Sequence, residues 1–131
     1  MTYTAKALNL FFSRFGLPAF TENNVPEMLE DANGLLQNVQ PPYITYQQIE
    51  PSWRSAVPMY ARVWYRGTNN AEIDAKVDEI AAAIGEGIGL PTPGGLVYLN
   101  KGDIFSQYQD MAGDPTLKCA YLSLTIQALT V

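Results

Sequence analysis

The chain has 131 residues, of which 47% are hydrophobic, and its 13 Asp and Glu against 8 Lys and Arg give a net charge of −5. This length fits one domain that builds its own core, and the acidic balance weighs against a protein that grips a phosphate backbone. The sequence has no histidine and one cysteine, which excludes His-activated nucleophiles, His-ligated metals and an intrachain disulfide.

The sequence also bears on location. No charged segment followed by an apolar stretch is visible at its start, and no run approaches the roughly 20 apolar residues of a membrane helix. We therefore expect one soluble domain over residues 1–131, made in a reducing compartment, with no membrane partner.

The first predicted element is an amphipathic helix over residues 2–15, which ends at Gly16 and Pro18 because neither continues a helix. Its apolar positions recur every three or four residues: Ala5, Leu8, Phe11, Phe12 and Phe15. Residues 21–42 are rich in acid, Asn and Pro, which predicts a loop with a short helical stretch near residues 26–31. Its apolar residues are too few for a core, so we expect residues 22–40 to be mobile in a free subunit and to order against a neighbour.

Two strands are predicted next, over residues 43–49 and 59–66, separated by a turn or wide hairpin loop. In the second strand the side chains alternate between two faces. The predicted core face carries Met59, Ala61, Val63 and Tyr65, and the face toward water or a partner carries Tyr60, Arg62, Trp64 and Arg66.

A second helix is predicted over residues 69–85, with Asn69 and Glu72 as a capping box and Glu72 with Lys76 as an exposed pair. Its apolar stripe is Ile73, Val77, Ile80 and Ile84. The Gly- and Pro-rich residues 86–95 then predict a loop.

The last third is predicted to contain a short strand over residues 96–99, a turn at 100–102, an extended stretch over 104–109, a turn cluster at 110–115 and a final strand over 117–129. In the final strand Ala120, Leu122, Leu124, Ile126 and Ala128 alternate with polar residues. The element order predicts an α+β fold, a two-layer sandwich in which two main helices lie on one face of an antiparallel or mixed sheet of four to five strands.

The sequence offers little reactive chemistry. Gly85, Gly87 and Gly89 follow a helix rather than open one, so they do not form a phosphate-binding loop. The carboxylate pairs Asp74 with Asp78 and Glu30 with Asp31 are predicted to be exposed to solvent. Cys119 is predicted to be a small buried or half-buried side chain without a base beside it. We expect no enzyme, no catalytic or metal-ligating residue and no cofactor.

Aromatic and Arg residues are the more informative group. Tyr, Trp and Arg dominate the energetic centres of protein interfaces, and several of them fall on strand faces opposite the apolar set. With Arg62 and Arg66 they indicate a surface that contacts other subunits.

Several blocks resemble the small lambda-like phage tail terminator, or tail completion, proteins. They are PPYITYQQIE at residues 41–50, residues 60–67 with the helix at 69–85, and KGDIFSQYQD at residues 101–110 before a long C-terminal strand. The N-terminal helix also fits, so the resemblance spans about residues 2–131.

The resemblance implies an α+β virion subunit that forms a ring, usually a hexamer, at the head-proximal end of the tail. Such a ring ends tail-tube polymerisation and offers the surface to which the head–tail connector docks, so the expected partners are its own copies, the major tail-tube protein and the connector. Assembly would take place in the cytoplasm of the bacterial host. DNA would pass through the lumen without specific binding, which the acidic balance suits.

A closed head-to-tail ring needs two different complementary patches on each subunit. The candidates are the Arg62, Trp64 and Arg66 strand face and the face of Tyr121, Ser123, Thr125 and Gln127, with the loops near residues 53–54 and 107–111 for tube or connector. The partner-binding candidates are Trp53, Arg54, Arg62, Trp64, Arg66, Gln107, Tyr108, Met111 and Tyr121.

Two other interpretations stay open. One is a different neck protein, such as a head-completion, stopper or adaptor subunit, which shares the ring but binds the portal side. The other is an unrelated small α+β binding module, which needs an apolar pocket with a few converging polar groups. An enzyme is the least favoured of the alternatives, because the sequence shows no catalytic pattern.

Overall fold

A computed structural model describes residues 3–22, 24–111 and 113–130, and for Asp110 and Thr130 it describes the backbone alone. The elements are α1 (Tyr3–Phe12) followed by a 3-10 turn (Ser13–Phe15), β1 (Ala19–Thr21), β2 (Met28–Glu30), β3 (Leu36–Asn38), β4 (Tyr43–Tyr46), β5 (Val57–Arg66), α2 (Ala71–Ile84), β6 (Ile88–Thr92), β7 (Gly95–Asp110) and β8 (Leu117–Thr130). Within these residues neither helix has the length and apolar character needed to cross a bilayer.

The fold is α+β, built on a large curled mixed sheet with the strand order β1-β4-β5-β8-β7-β6. β1 pairs parallel with β4, and the other neighbours are antiparallel. The sheet has six strands, so the predicted four to five is wrong. β1 has three residues and β6 contains Gly89 and Pro91, and neither shows the alternation that marks a strand in sequence.

The core lies between the helices and one face of this sheet. The strand register places Ile44 beside Val63, Ala61 beside Leu122, and Leu99 beside Ile126, all buried. Phe12 of α1 stacks on Tyr46 of β4 with ring centroids 4.9 Å apart. The predicted core residues of both helices are buried, and all of them except Ala5 belong to this one cluster. The predicted core faces of the helices are therefore confirmed, as are those of the two long strands except at Tyr65 and Ala128, which are partly buried.

The segment between β1 and β4 differs from its prediction. Residues 28–38 form an antiparallel hairpin of β2 and β3 in a sheet of its own, where a loop with a helical stretch was expected. The turn is fixed by the carboxylate of Asp31, which accepts the backbone N–H groups of Asn33 at 2.9 Å and Leu35 at 3.0 Å. Gly34, at φ 78°, supplies the left-handed residue that the turn requires.

The predicted turn at residues 100–102 is also wrong, because β7 runs through it as one strand. Its pairing passes from Lys101 opposite Leu124 to Ser106 opposite Leu122. Residues 102–105 therefore bulge out opposite Ser123, and we call them the bulge. Gly102 suits this place, since a Cβ there would lie 3.2 Å from the Cβ and carbonyl oxygen of Ser123. Likewise, residues 88–92 of the predicted loop are edge strand β6.

The start of α2 differs from the predicted capping box of Asn69 and Glu72. The side-chain oxygen of Asn69 accepts the Ala71 N–H at 2.9 Å, and the N-cap residue is Asn70, which makes no side-chain cap bond. The predicted capping box is therefore wrong. Lys76 pairs with Glu79 at 2.7 Å and also donates to the Phe15 carbonyl, so this lysine ties α2 to the end of the first helical segment.

Candidate partner-binding surface

The sheet face opposite the helices, here the outer face, gathers five of the predicted residues. Strand alternation and register place Arg62 beside Tyr121, and Tyr121 beside Gln107 on the next strand. Trp64 and Arg66 follow Arg62 on the same side of β5. The two predicted strand patches are therefore neighbouring parts of one continuous face.

A cluster around Arg62 forms the centre of the outer face. The rings of Tyr60 and Tyr121 stack with centroids 5.2 Å apart, and the Arg62 guanidinium lies 4.9 Å and 5.3 Å from them. Arg62 also donates to a carboxylate oxygen of Glu22 at 2.6 Å, and the Tyr60 hydroxyl donates to the other oxygen. The hydrogen bond to Glu22 raises the pKa of Tyr60.

The ion pair in this cluster is partly shielded, since the Arg62 and Glu22 side chains are 24% and 31% exposed. Burial alone would lower the pKa of Arg62, but the hydrogen bond and charge of Glu22 raise it. Arg62 therefore stays charged and is held in one orientation, flat against two aromatic rings, before any partner arrives.

Trp64 continues the face toward β1. Its indole N–H donates to the Thr45 hydroxyl at 3.0 Å, and its ring lies 6.2 Å from that of Tyr43, which in turn lies 6.0 Å from Phe20. The indole is half-buried with its polar atom satisfied, so it offers a contact surface without an unpaired donor.

Arg66 marks one end of the outer face. Its guanidinium bonds the Asp114 carboxylate at 2.6 Å and the Thr116 hydroxyl at 2.9 Å. Asp114 also accepts a hydrogen bond from the Thr116 hydroxyl, and the bonds from Arg66 first and from Thr116 second lower the pKa of Asp114 to about 2. Met111 lies nearby, in the wall of an open depression of about 440 Å³ that also includes Asp114 and Lys118.

Trp53 and Arg54 lie at the opposite end. The Trp53 carbonyl accepts the side-chain N–H of Gln127 at 3.1 Å, which fixes this loop beside the C-terminal part of β8. Arg66 pairs with Leu117 at the start of the same strand. Ten residues of strand, roughly 33 Å, separate the two ends. Trp53 is 66% exposed and the Arg54 guanidinium lies 6.0 Å from its ring.

Tyr108 does not share the face of Gln107. It pairs with Ala120 on the side of the sheet that the helices cover, and its hydroxyl donates to Asp74 at the start of α2. The two neighbouring candidates therefore point to opposite sides, as strand alternation requires.

Sequence reasoning missed two contributors to this surface. Glu22 is 40 residues from Arg62 in the chain, and only the pairing of β1 with β4 brings it near. The bulge borders an open groove of about 670 Å³, whose walls include Tyr60, Lys101, Tyr121 and Thr125. At its rim Ile104 is 63% exposed. No local sequence pattern indicated either feature.

The carboxylates and Cys119 are the remaining candidates for reactive chemistry in the described residues. Among the residues that the structure describes, no three or more Cys, Asp or Glu side chains are grouped so that they could hold a metal ion. Cys119 is buried, as predicted, and burial raises its thiol pKa to about 11, so the sulfur is protonated at neutral pH and a poor nucleophile.

Comparison of the chain with protein-family models, with curated proteins and with solved structures gave no match.

Proposed function

We propose that this chain is the ring-forming subunit of a phage tail terminator. In this proposal it is a two-layer α+β subunit in which both helices back the sheet and the outer face contacts other proteins. Six copies form a ring at the head-proximal end of the tail, stop growth of the tail tube and present a docking surface for the head–tail connector.

The observation that carries the proposal is the outer face itself. It carries half-buried Tyr60, Arg62, Trp64 and Tyr121 side chains, and in the described residues no helix covers them. These residue types supply most of the binding energy in protein interfaces. Because Glu22 already holds Arg62 in place, binding costs less conformational entropy than it would for a free arginine.

The two ends of the subunit support the same role. A terminator ring lies between a tube and a connector, so each subunit needs two different axial contacts. The Trp53 and Arg54 loop and the corner of Arg66, Met111 and Asp114 lie at opposite ends of β8. We assign one to each axial partner. The sequence resemblance to tail terminators agrees with this arrangement.

The decisive experiment is negative-stain imaging of virions that lack this protein. We expect overlong tails without heads, and tails of normal length with heads attached would overturn the proposal. Complementation then tests the surface. Thr125→Arg places a charged side chain in the outer-face groove and should fail to restore tail length. Ala82→Arg adds the same charge on the exposed side of α2 and should restore it.

Mass photometry over a concentration series, with and without tail tubes, tests the hexamer. A strict monomer under both conditions would exclude a ring. Co-purification separates the terminator from other neck proteins, because a terminator retains the major tail-tube protein while a stopper or adaptor retains the portal-side partner.

A further inference from the structure

A second surface lies outside the outer face. Residues 27–39, which we call the arm, are the β2–β3 hairpin with its turn. Every residue of the two strands is exposed, and in the described part of the chain the hydrogen bonds of the arm join its own residues to one another. The arm therefore projects from the body of the subunit as an independent hairpin.

The arm displays apolar side chains to solvent. Met28, Leu29, Leu35 and Leu36 are 50%, 39%, 60% and 62% exposed. In the hairpin register Glu30 lies opposite Leu36, and Met28 lies on the same face. An isolated two-stranded hairpin is marginally stable in water, so this combination indicates that the arm completes its burial against another surface.

The charge of the arm is uniform. Glu27, Glu30 and Asp31 are its ionisable residues, and the sequence has no Lys or Arg between Arg14 and Arg54. The partner surface should therefore combine exposed apolar side chains with positive charge.

The outward side of α1 and its 3-10 turn has that combination in this same chain. Tyr3, Lys6, Leu10 and Arg14 recur at three- and four-residue spacing, which places them on one stripe of the helix. Tyr3 is 58% exposed and Leu10 is 72% exposed. We call these four residues the stripe. Neither cation forms an ion pair with a described residue, and no acid occurs before Glu22.

The sheet edges are less suitable for self-association. β1 offers three residues, and β6 contains Pro91, which has no N–H to donate to an added strand. We therefore expect copies to contact each other through side chains of the arm and the stripe rather than by adding strands to the sheet.

We propose that the arm of one copy docks on the stripe of a second copy, with Glu30 facing Lys6 and Arg14 and with Met28 and Leu36 packing against Leu10 and Tyr3, while Glu27, on the other face of the hairpin, adds to the negative charge of the arm. The two surfaces differ, so each subunit can give one contact and accept another, which is the requirement for a head-to-tail assembly. The closure of that assembly into a ring rests on the proposed function.

Charge reversal tests the contact. Glu27→Lys with Glu30→Lys makes the arm basic, and Lys6→Glu with Arg14→Glu makes the stripe acidic. Each double variant should weaken self-association at low salt by at least about tenfold in sedimentation velocity, because like charges then meet. An equal mixture of the two variants should recover it, since every arm again finds a stripe of opposite charge.

The matched control for the arm variant is Asp78→Lys with Glu86→Lys, which makes the same change in net charge on exposed positions outside both surfaces. It should associate like the wild type. A direct reading comes from mixing Leu36→Cys with Leu10→Cys chains and adding a short bis-maleimide. We expect a cross-linked dimer that neither chain gives alone, and the buried Cys119 provides the background level.

The outcomes separate this contact from the proposed function. If the wild type formed rings and both charge-reversed variants associated as strongly as the wild type, the arm contact would be overturned and the proposed ring would be unaffected. Recovery in the mixture by chains that do not bind tail tubes would support the arm contact and overturn the tail function. A wild-type chain that stays monomeric with and without tubes would overturn both.

Discussion

Val77 lies at the centre of α2 and is 6% exposed, within the cluster that joins both helices to the sheet. An aspartate there would bury a carboxylate without a partner, so we expect Val77→Asp to lower the free energy of unfolding by more than about 3 kcal/mol. Urea unfolding monitored by circular dichroism measures this free energy for the variant and the wild type. Ala82→Asp adds the same charge on the exposed side of the helix and should cost far less. Equal stability of the two variants would show that α2 does not face the core.

The Arg66–Asp114 pair has a consequence for acid stability. The folded pKa of Asp114 is about 2, below its ordinary value of 3.8. Its contribution to stability is therefore complete above the unfolded pKa and is lost as the pH falls from about 4 to about 2. We expect Asp114→Asn to be less stable than the wild type near neutral pH, with the difference shrinking as the pH falls below about 4 and disappearing only below about pH 2.

Thermal unfolding at stepped pH measures this prediction. Asp78→Asn, which removes a carboxylate from the exposed side of α2, is the control for the loss of one charge. If Asp114→Asn differed from the wild type by the same amount at every pH, the ionised carboxylate would not be the source of the effect.

At the scale of elements, strong periodicity was sufficient for prediction. α1, α2, β5 and β8 each repeat apolar residues at the helical or strand period, and each buries the predicted face. The same alternation correctly placed Arg62 and Trp64 on one side of β5, opposite the core.

The missed elements depend on pairing that is distant in the chain or on local turn geometry. β1 is defined by its parallel partner β4, and β6 by its pairing with β7 across a Pro-containing sequence. The contact of Glu22 with Arg62 follows from the first of these pairings, so no window of local sequence contains it. In the arm, two three-residue strands are too short to show a period, and the turn bonds of Asp31 become visible only in three dimensions.

The arm should also be the most protease-sensitive element. We expect limited proteolysis of the free protein to cut between residues 22 and 40, because a hairpin supported by its own bonds opens readily. Thermolysin, which cleaves beside large apolar residues, suits the exposed Leu35 and Leu36. Mass spectrometry of the fragments identifies the sites, and cleavage should be suppressed in the assembled ring or on the tube. Equal protection in both states would mean that the arm packs on its own subunit.

At the scale of the whole molecule, the net charge determines whether the protein binds DNA. The net charge is −5, and of the 8 Lys and Arg residues, Arg62, Arg66 and Lys76 are already paired with carboxylates. Binding to duplex DNA depends on several unpaired cations that release counterions from phosphates. We therefore expect no saturable binding in a fluorescence anisotropy titration at physiological salt, as the proposed ring would require of a lumen that conducts DNA. The Glu27→Lys, Glu30→Lys variant is the sensitive comparison, since its basic arm should bind weakly at low salt and lose that binding as salt rises. Micromolar binding by the wild type with a steep salt dependence would show that the remaining cations form a phosphate-binding surface despite the acidic total.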